Sequence, residues 1–322
     1  MAAKVTDREL RLQALMLDDP YEQPNLSWAI NPDARLLDVL NLYQFKEWPT
    51  QKVYCVSCEG HHHKKGFTCI TSEGDRLLFG SKCGQDAFGE SWVNAEKRIK
   101  ERYQRQHELL SLDRFNTVLG PMQKAVSRWV RPIGDLANRR IGFASSLEAL
   151  YQRCHEAAQR SNGMLTIFEK VKQKLGNEPD FVERPYAQLI GRDMFSVFDR
   201  TNIVHVVEDT IKAIDAVKAN AANTDGVSTT TLKRCRLAME RKFEQIEQSA
   251  VAYEAAQDFF SAPSFKLLAE WSWARNVVGE RYLFEKGILK QCDTNRGVAL
   301  LAPLPDLNLE ILDLIREYRR GE

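Results

Sequence analysis

The sequence lacks any run of about 18 apolar residues, so it predicts no membrane-spanning helix. It also lacks excess charge: 45 Lys+Arg against 44 Asp+Glu leave a formal net charge of +1, so attraction to a polyanion has to come from a local patch. The phosphate-cradling GxxxxGK[ST] and the dinucleotide-binding GxGxxG are missing, and with them any argument for a nucleotide cofactor. Neither HExxH nor the paired HxE and PCxxC of the zinc deaminases occurs, which removes two local signatures of a catalytic metal. The start, MAAKVTDRELRLQ, has no apolar signal-peptide core. A cytoplasmic location is therefore expected, where cysteines serve as metal ligands or buried thiols more often than as disulfides. No internal repeat or low-complexity tract is present.

What the chain does have is a helical pattern over most of its length. Thr6 and Glu9 have the spacing of a capping box for a short first helix, and Pro32-Asp33 is the expected start of a second, running to about Tyr43. From Ser91 onward, apolar residues recur at three- and four-residue steps: Trp92, Ala95, Ile99, Tyr103 and Leu110, then a stripe from Leu147 to Ala158 with Ser145 and Glu148 as caps. Further stripes run from Val204 to Val217 and from Leu232 to Tyr253, the last stopping near Pro263. A non-helical patch is expected around Tyr282 to Leu301, and Asp306 as the cap of a final helix from Leu307 to Tyr318. The expected fold class is mainly α, divided into an N-terminal helical segment (1–50), a small module (51–90) and a helical domain (91–322) with a possible break near 223–228.

Residues 54–89, YCVSCEGHHHKKGFTCITSEGDRLLFGSKCGQDAFG, hold four of the seven cysteines and three of the six histidines. Cys55-x2-Cys58 is the spacing of a zinc knuckle, in which a tight turn aims two thiolates at one ion, and tetrahedral zinc needs two further donors. Short β-type runs, Gly66–Thr71 and Arg76–Phe79, flank the turn Ser72-Glu73-Gly74-Asp75 and predict a hairpin. Cys83 follows it where a helix begins. With that turn, residue i faces residue 147 minus i, so Cys83 faces Lys64 and Cys69 faces Leu78. Cys69 is then roughly 16 Å from Cys83 along the ladder, too far for two Zn–S bonds of about 2.3 Å. The expected ligands are Cys55, Cys58, Cys83 and, as fourth, His63. His61 stands close behind, and the choice depends on the turn position, since a different one could overturn it.

A CxxC, a histidine a few residues on, a hairpin, and a glycine three residues before a cysteine at a helix start together resemble small treble-clef-like zinc modules of bacterial and phage proteins. The matching residues are Cys55, Cys58, His63, Gly80, Cys83 and Phe88, within about 35 of the 322 residues. The resemblance implies bound zinc, with contact to nucleic acid or protein as its use, and it assigns no catalytic residue.

Four good donors favour a closed structural site, so the leading expectation is a non-enzymatic binding protein. A basic stretch, Lys124, Arg128, Arg131, Arg139 and Arg140 with Trp129 inside it, is the candidate nucleic-acid contact. Its bland reading is a solvated helix face with a core tryptophan. Two alternatives come from other classes: a metal-dependent nuclease using the His61–His63 cluster, and a protein–protein adaptor in which zinc is only a staple. A nucleic-acid or protein partner is expected, and no membrane. Cys154 and Cys235 fall on apolar stripes as buried thiols, and His205 lies one step off its stripe.

Overall fold

The computed structural model describes residues 5–47, 53–58, 62–171, 180–198, 203–274, 279–294 and 296–320. These are mainly helical, and the chain divides into two compact units: unit 1, Met1–Asp113 with Asn220–Arg236, and unit 2, Arg114–Ala219 with Leu237–Glu322. The expected boundaries at 50 and 90 fall inside unit 1, and 223–228 lies in its returning segment.

Unit 1 opens with α1 (Asp7–Leu12), closed by the Thr6–Glu9 capping box. Strands β1 (Met16–Leu17) and β2 (Leu36–Gln44) follow, joined by a 3-10 turn at Pro20–Glu22. The expected helix to Tyr43 is thus a strand. Two β-bulges, between Leu36 and Asp38 and between Val39 and Asn41, disturb its alternation, so the leucine-rich run does not show the period of two. Val39 and Tyr43, four apart, share one face in either conformation, and both are buried.

The short ribbon of β3 (Val53–Tyr54) and β4 (His62–His63) precedes the hairpin of β5 (Lys65–Thr71) and β6 (Arg76–Phe79). The order β1-β2-β5-β6 forms one sheet, with β1 parallel to β2 and the other pairs antiparallel. Its register corrects the sequence expectation by one residue: Cys69 pairs with Leu77, because the loop runs from Thr71 to Asp75 and is closed by Thr71 N–H to Asp75 O at 3.0 Å. Tyr43, Val53 and Leu78 pack together beneath this sheet, with Leu17, Tyr21, Leu26 and Phe45 around them.

Helix α2 (Ser81–Ser127) begins directly after β6 and is interrupted at Gly89, whose φ of 58° and ψ of −133° suit only glycine. Trp92, just beyond the break, is fully buried against Phe67, Phe79 and Phe88. Leu110, expected on the buried stripe, is instead 42% exposed, and Leu109 and Leu112 face inward. In unit 1 the α2 side chain Arg105 holds Asp7 at 2.5 and 2.7 Å and also donates to the Thr224 and Val227 carbonyls. Arg236 donates to the buried Glu108 at 2.8 Å. These pairs tie α1 and the returning segment to α2.

Unit 2 contains α3 (Val130–Ser146), α4 (Glu148–Arg160), the hairpin β7 (Met164–Val171) with β8 (Asp180–Gln188), and α5 (Asp193–Phe198). Next come α6 (Ile203–Ala221), α7 (Thr229–Phe259), α8 (Ala262–Trp273), the sheet β9 (Tyr282–Glu285), β10 (Ile288–Gln291) and β11 (Gly297–Ala299), and α9 (Glu310–Arg320). The chain passes between the units within α2, α6 and α7. The β7–β8 hairpin lies between the helical stripes expected after Ser91 and was not anticipated. The patch expected around Tyr282–Leu301 is the β11-β10-β9 sheet.

Two caps also differ from expectation. Ser145 lies within α3 and donates to the Gly142 carbonyl, and α9 starts at Glu310, whose N–H is accepted by Asn308 rather than Asp306. Phe143, Phe195, Phe259, Phe260 and Phe265 form the aromatic centre of unit 2.

Candidate metal centre

The knuckle Cys55–Cys58 is positioned from both sides. Val53 in β3 pairs with His63 in β4, and Val56 N–H donates to Leu78 O at 3.0 Å, which fastens the knuckle to β6. Two residues beyond the end of that strand the chain turns into α2, so Cys83 arrives beside the knuckle. The sulfurs of Cys55, Cys58 and Cys83 lie within 4.8 Å of one another, the only such group of three metal-binding side chains among the described residues. Cys83 Sγ is 3.2 Å from Cys58 Sγ. Tetrahedral zinc with Zn–S bonds of about 2.3 Å would set sulfurs roughly 3.8 Å apart, so the Cys58–Cys83 pair needs only a small outward adjustment to share an ion.

Of the expected fourth donors, His63 is the one beside this group. Its Nε2 is 3.9 Å from Cys58 Sγ, although it does not belong to the mutually close set of three. The imidazole packs against Gly80: a Cβ at that position would come within 2.1 Å of His63 Cε1 and 2.6 Å of Nδ1. Glycine at 80 is therefore what seats the histidine. Cys69 is fully buried on β5, outside the sulfur group, and burial pushes its thiol up to about 12. His61 lies outside the described residues, and of His62 only the backbone is described, paired with Tyr54.

The electrostatics of the group favour a cation. Burial pushes the Cys55 thiol up, but backbone N–H groups of Gly80, Ser57 and Cys58 outweigh it and hold the thiol below its ordinary value. Cys83 moves the other way, raised by burial and by the sulfurs of Cys58 and Cys55. Three adjacent thiolates repel one another, and a divalent cation reverses that repulsion. Nearby, the Tyr43 hydroxyl is buried without a hydrogen-bond partner among the described residues, and burial and Cys55 together raise its pKa.

The start of α2 is held by Glu96. It accepts from Ser81 Oγ at 2.7 and 2.8 Å, from Trp92 Nε1 at 2.8 Å and from Lys100 Nζ at 2.5 Å. Burial pushes its carboxyl up, and these three donors more than offset it, leaving it below the usual range. Beside the three sulfurs is a cleft of about 530 Å³, to which His63 and Cys83 both contribute. Lys65 from β5 and Lys82 and Lys100 from α2 also line it. Lys65 and Lys82 are exposed and form no ion pair among the described residues.

The basic stretch reads differently in three dimensions. Trp129 is buried and donates to Asn308 O at 2.6 Å, so it is not available to stack on a base. Arg128 pairs with Glu310 at 2.5 Å, and Arg140 donates to the Tyr151 hydroxyl at 2.9 Å. Lys124 and Arg131 are exposed without ion pairs among the described residues, and Arg139 lines a separate groove. On α2, Arg98 and Arg102 both face Asp38, at 2.9 and 3.6 Å. Sequence reasoning missed the lysine cleft because Lys65, Lys82 and Lys100 are scattered in the chain and converge only through the hairpin and the Gly89 break. Elsewhere, Cys154 is fully buried, Cys235 accepts from Asn220 Nδ2 at 3.4 Å, and His205 is exposed beside Glu208.

No helix among the described residues is long and apolar enough to cross a membrane. Compared with protein-family models, curated proteins and solved structures, the chain has no match.

Proposed function

We propose that this chain is a zinc-containing binding protein whose metal is structural and whose ligand is nucleic acid, engaged at the phosphate backbone by the cleft beside the metal. The ion is held by Cys55, Cys58 and Cys83, with His63 as the fourth donor. The observation that carries this reading is the cluster of three sulfurs within 4.8 Å sharing a wall with a cleft lined by three lysines. Thiolate-rich tetrahedral donor sets select zinc, and four protein donors leave no position for a reacting water. A metal of this kind stiffens the short ribbon and knuckle at residues 53–58 and 62–63, which have few ladder pairs of their own. Lysines that are not neutralised by carboxylates present point charges to phosphate, and Lys65 and Lys82 are of that kind. Lys124 and Arg131 are the members of the basic stretch suited to the same role.

Two measurements test the reading. Metal analysis of the purified chain should find one zinc, retained in Cys69→Ser and lost in Cys83→Ser; a chain without zinc, or loss from Cys69→Ser, overturns the metal assignment. Fluorescence anisotropy with single-stranded and duplex oligonucleotides should show affinity falling steeply with salt. The double variant Lys65→Gln/Lys82→Gln should make the log–log salt slope shallower by about two. Absence of binding at low salt would remove nucleic acid as the ligand and favour a protein partner.

A further inference from the structure

Unit 2 has a groove of about 610 Å³ that has no part in the metal site. One wall is a face of α3, on which Asp135, Arg139 and Gly142 follow each other at helical spacing. The other wall is the edge strand β11 and the chain beyond it, including Val298 and Leu301. Phe260 and Phe265, 9% and 0% exposed, form an aromatic floor. Leu301, at 55% exposure, leaves an apolar side chain at the rim.

Asp135 and Arg139 are the charged groups at this groove. A carboxylate four residues before a basic residue on a helix ordinarily favours pairing. Here both are half-buried, and neither forms an ion pair or a side-chain hydrogen bond among the described residues. Both act electrostatically on the buried Tyr253, whose hydroxyl is already committed to Pro305 O at 2.7 Å. The groove thus offers an anion and a cation one helical turn apart, over an apolar and aromatic interior.

That arrangement selects among small ligands. A fatty acid would satisfy Arg139 and set its carboxylate against Asp135. An apolar amine would satisfy Asp135 and face Arg139, and a hydrocarbon would satisfy neither. A molecule carrying an ammonium and a carboxylate on one carbon, with a large apolar side chain, satisfies both charges and fills the floor. We propose that this groove binds a free α-amino acid with an aromatic or large aliphatic side chain. Its volume is within the range of ordinary small-molecule sites.

Isothermal titration of the full, metal-loaded chain with L-tryptophan, L-phenylalanine and L-leucine tests the assignment. Saturable binding is expected, and tryptamine and indole-3-propionate, each lacking one charge, should bind at least about tenfold more weakly. Arg139→Gln should erase the preference for tryptophan over tryptamine. Gly142→Leu provides a second variant: a Cβ at Gly142 meets nothing within 4 Å, so the helix tolerates the change while the side chain enters the groove. Binding should be lost in that variant with the thermal midpoint maintained. Absence of saturable heat at millimolar ligand, equal affinity for the one-charge analogues, or unchanged binding in Gly142→Leu would each overturn the proposal.

Discussion

At the scale of single residues, the proposed metal centre depends as much on what is small as on what ligates. Gly80 carries no side-chain ligand, yet a methyl group there would occupy the space of the His63 ring. Gly80→Ala should therefore weaken zinc by roughly 10- to 100-fold, the range seen when the support of a metal ligand is lost. Competition with a chromophoric chelator measures this, and unchanged affinity would mean that His63 is not a ligand. The knuckle was legible in the sequence because Cys55 and Cys58 lie within one turn of chain. Cys83 was legible because a hairpin brings its two ends together whatever the details of its loop. The partner of Cys69 was misjudged by one residue because Thr71 and Asp75 bond across the loop, a choice that local composition does not reveal.

At the scale of elements, two carboxylates fix helices and confer a pH dependence on them. For Asp7, burial pushes the carboxyl up, but hydrogen bonds from Arg105 and the Arg105 charge outweigh it and hold the group below its ordinary value. Glu96 is lowered in the same sense at the start of α2. A carboxyl with a lowered folded pKa stabilises the fold fully above its unfolded value of about 4, and that stability is lost as pH falls through the folded value. The thermal midpoint should thus drop between about pH 5 and pH 3, and less so in Asp7→Asn and Glu96→Gln. Arg105→Ala at neutral pH leaves a buried carboxylate unpaired and should cost on the order of 3 kcal/mol in chemical denaturation. The hairpin β5–β6 was legible from its composition, two short β-type runs flanking a turn of Ser72, Glu73, Gly74 and Asp75, although both strands are buried on both faces and show no alternation. The strand β2 was not, because its bulges break alternation and leucine suits helices as well as sheets. The hairpin β7–β8 was hidden for a related reason: Phe168, Val182 and Tyr186 are each more than a third exposed, so burial wrote no strong pattern there.

At the scale of the whole molecule, the chain has two units of different construction. Unit 2 has a large aromatic centre, and unit 1 has its own aromatic cluster of Phe67, Phe79, Phe88 and Trp92 at the start of α2. Removing the proposed zinc should therefore act locally. Hydrogen exchange after addition of a strong chelator should rise at residues 53–58 and 81–88, while amides of α2 beyond Gly89 keep their protection. Exchange that rises uniformly through α2 would show that the metal supports the entire helix. The two-unit division itself was not legible, because its boundaries fall within α2, α6 and α7 rather than in loops of distinctive composition.

The Gly89 break has a consequence in time as well as in space. Every donor of the proposed shell lies before residue 84, and the aromatic residue that covers the start of α2 is Trp92, three positions after the break. On a ribosome, the ion could be captured and sealed once about a third of the chain has emerged, while the β9–β11 sheet is still unmade. Cells starved of zinc would then fail at an early step of synthesis, with the nascent amino-terminal third rather than the finished protein as the species exposed to proteases.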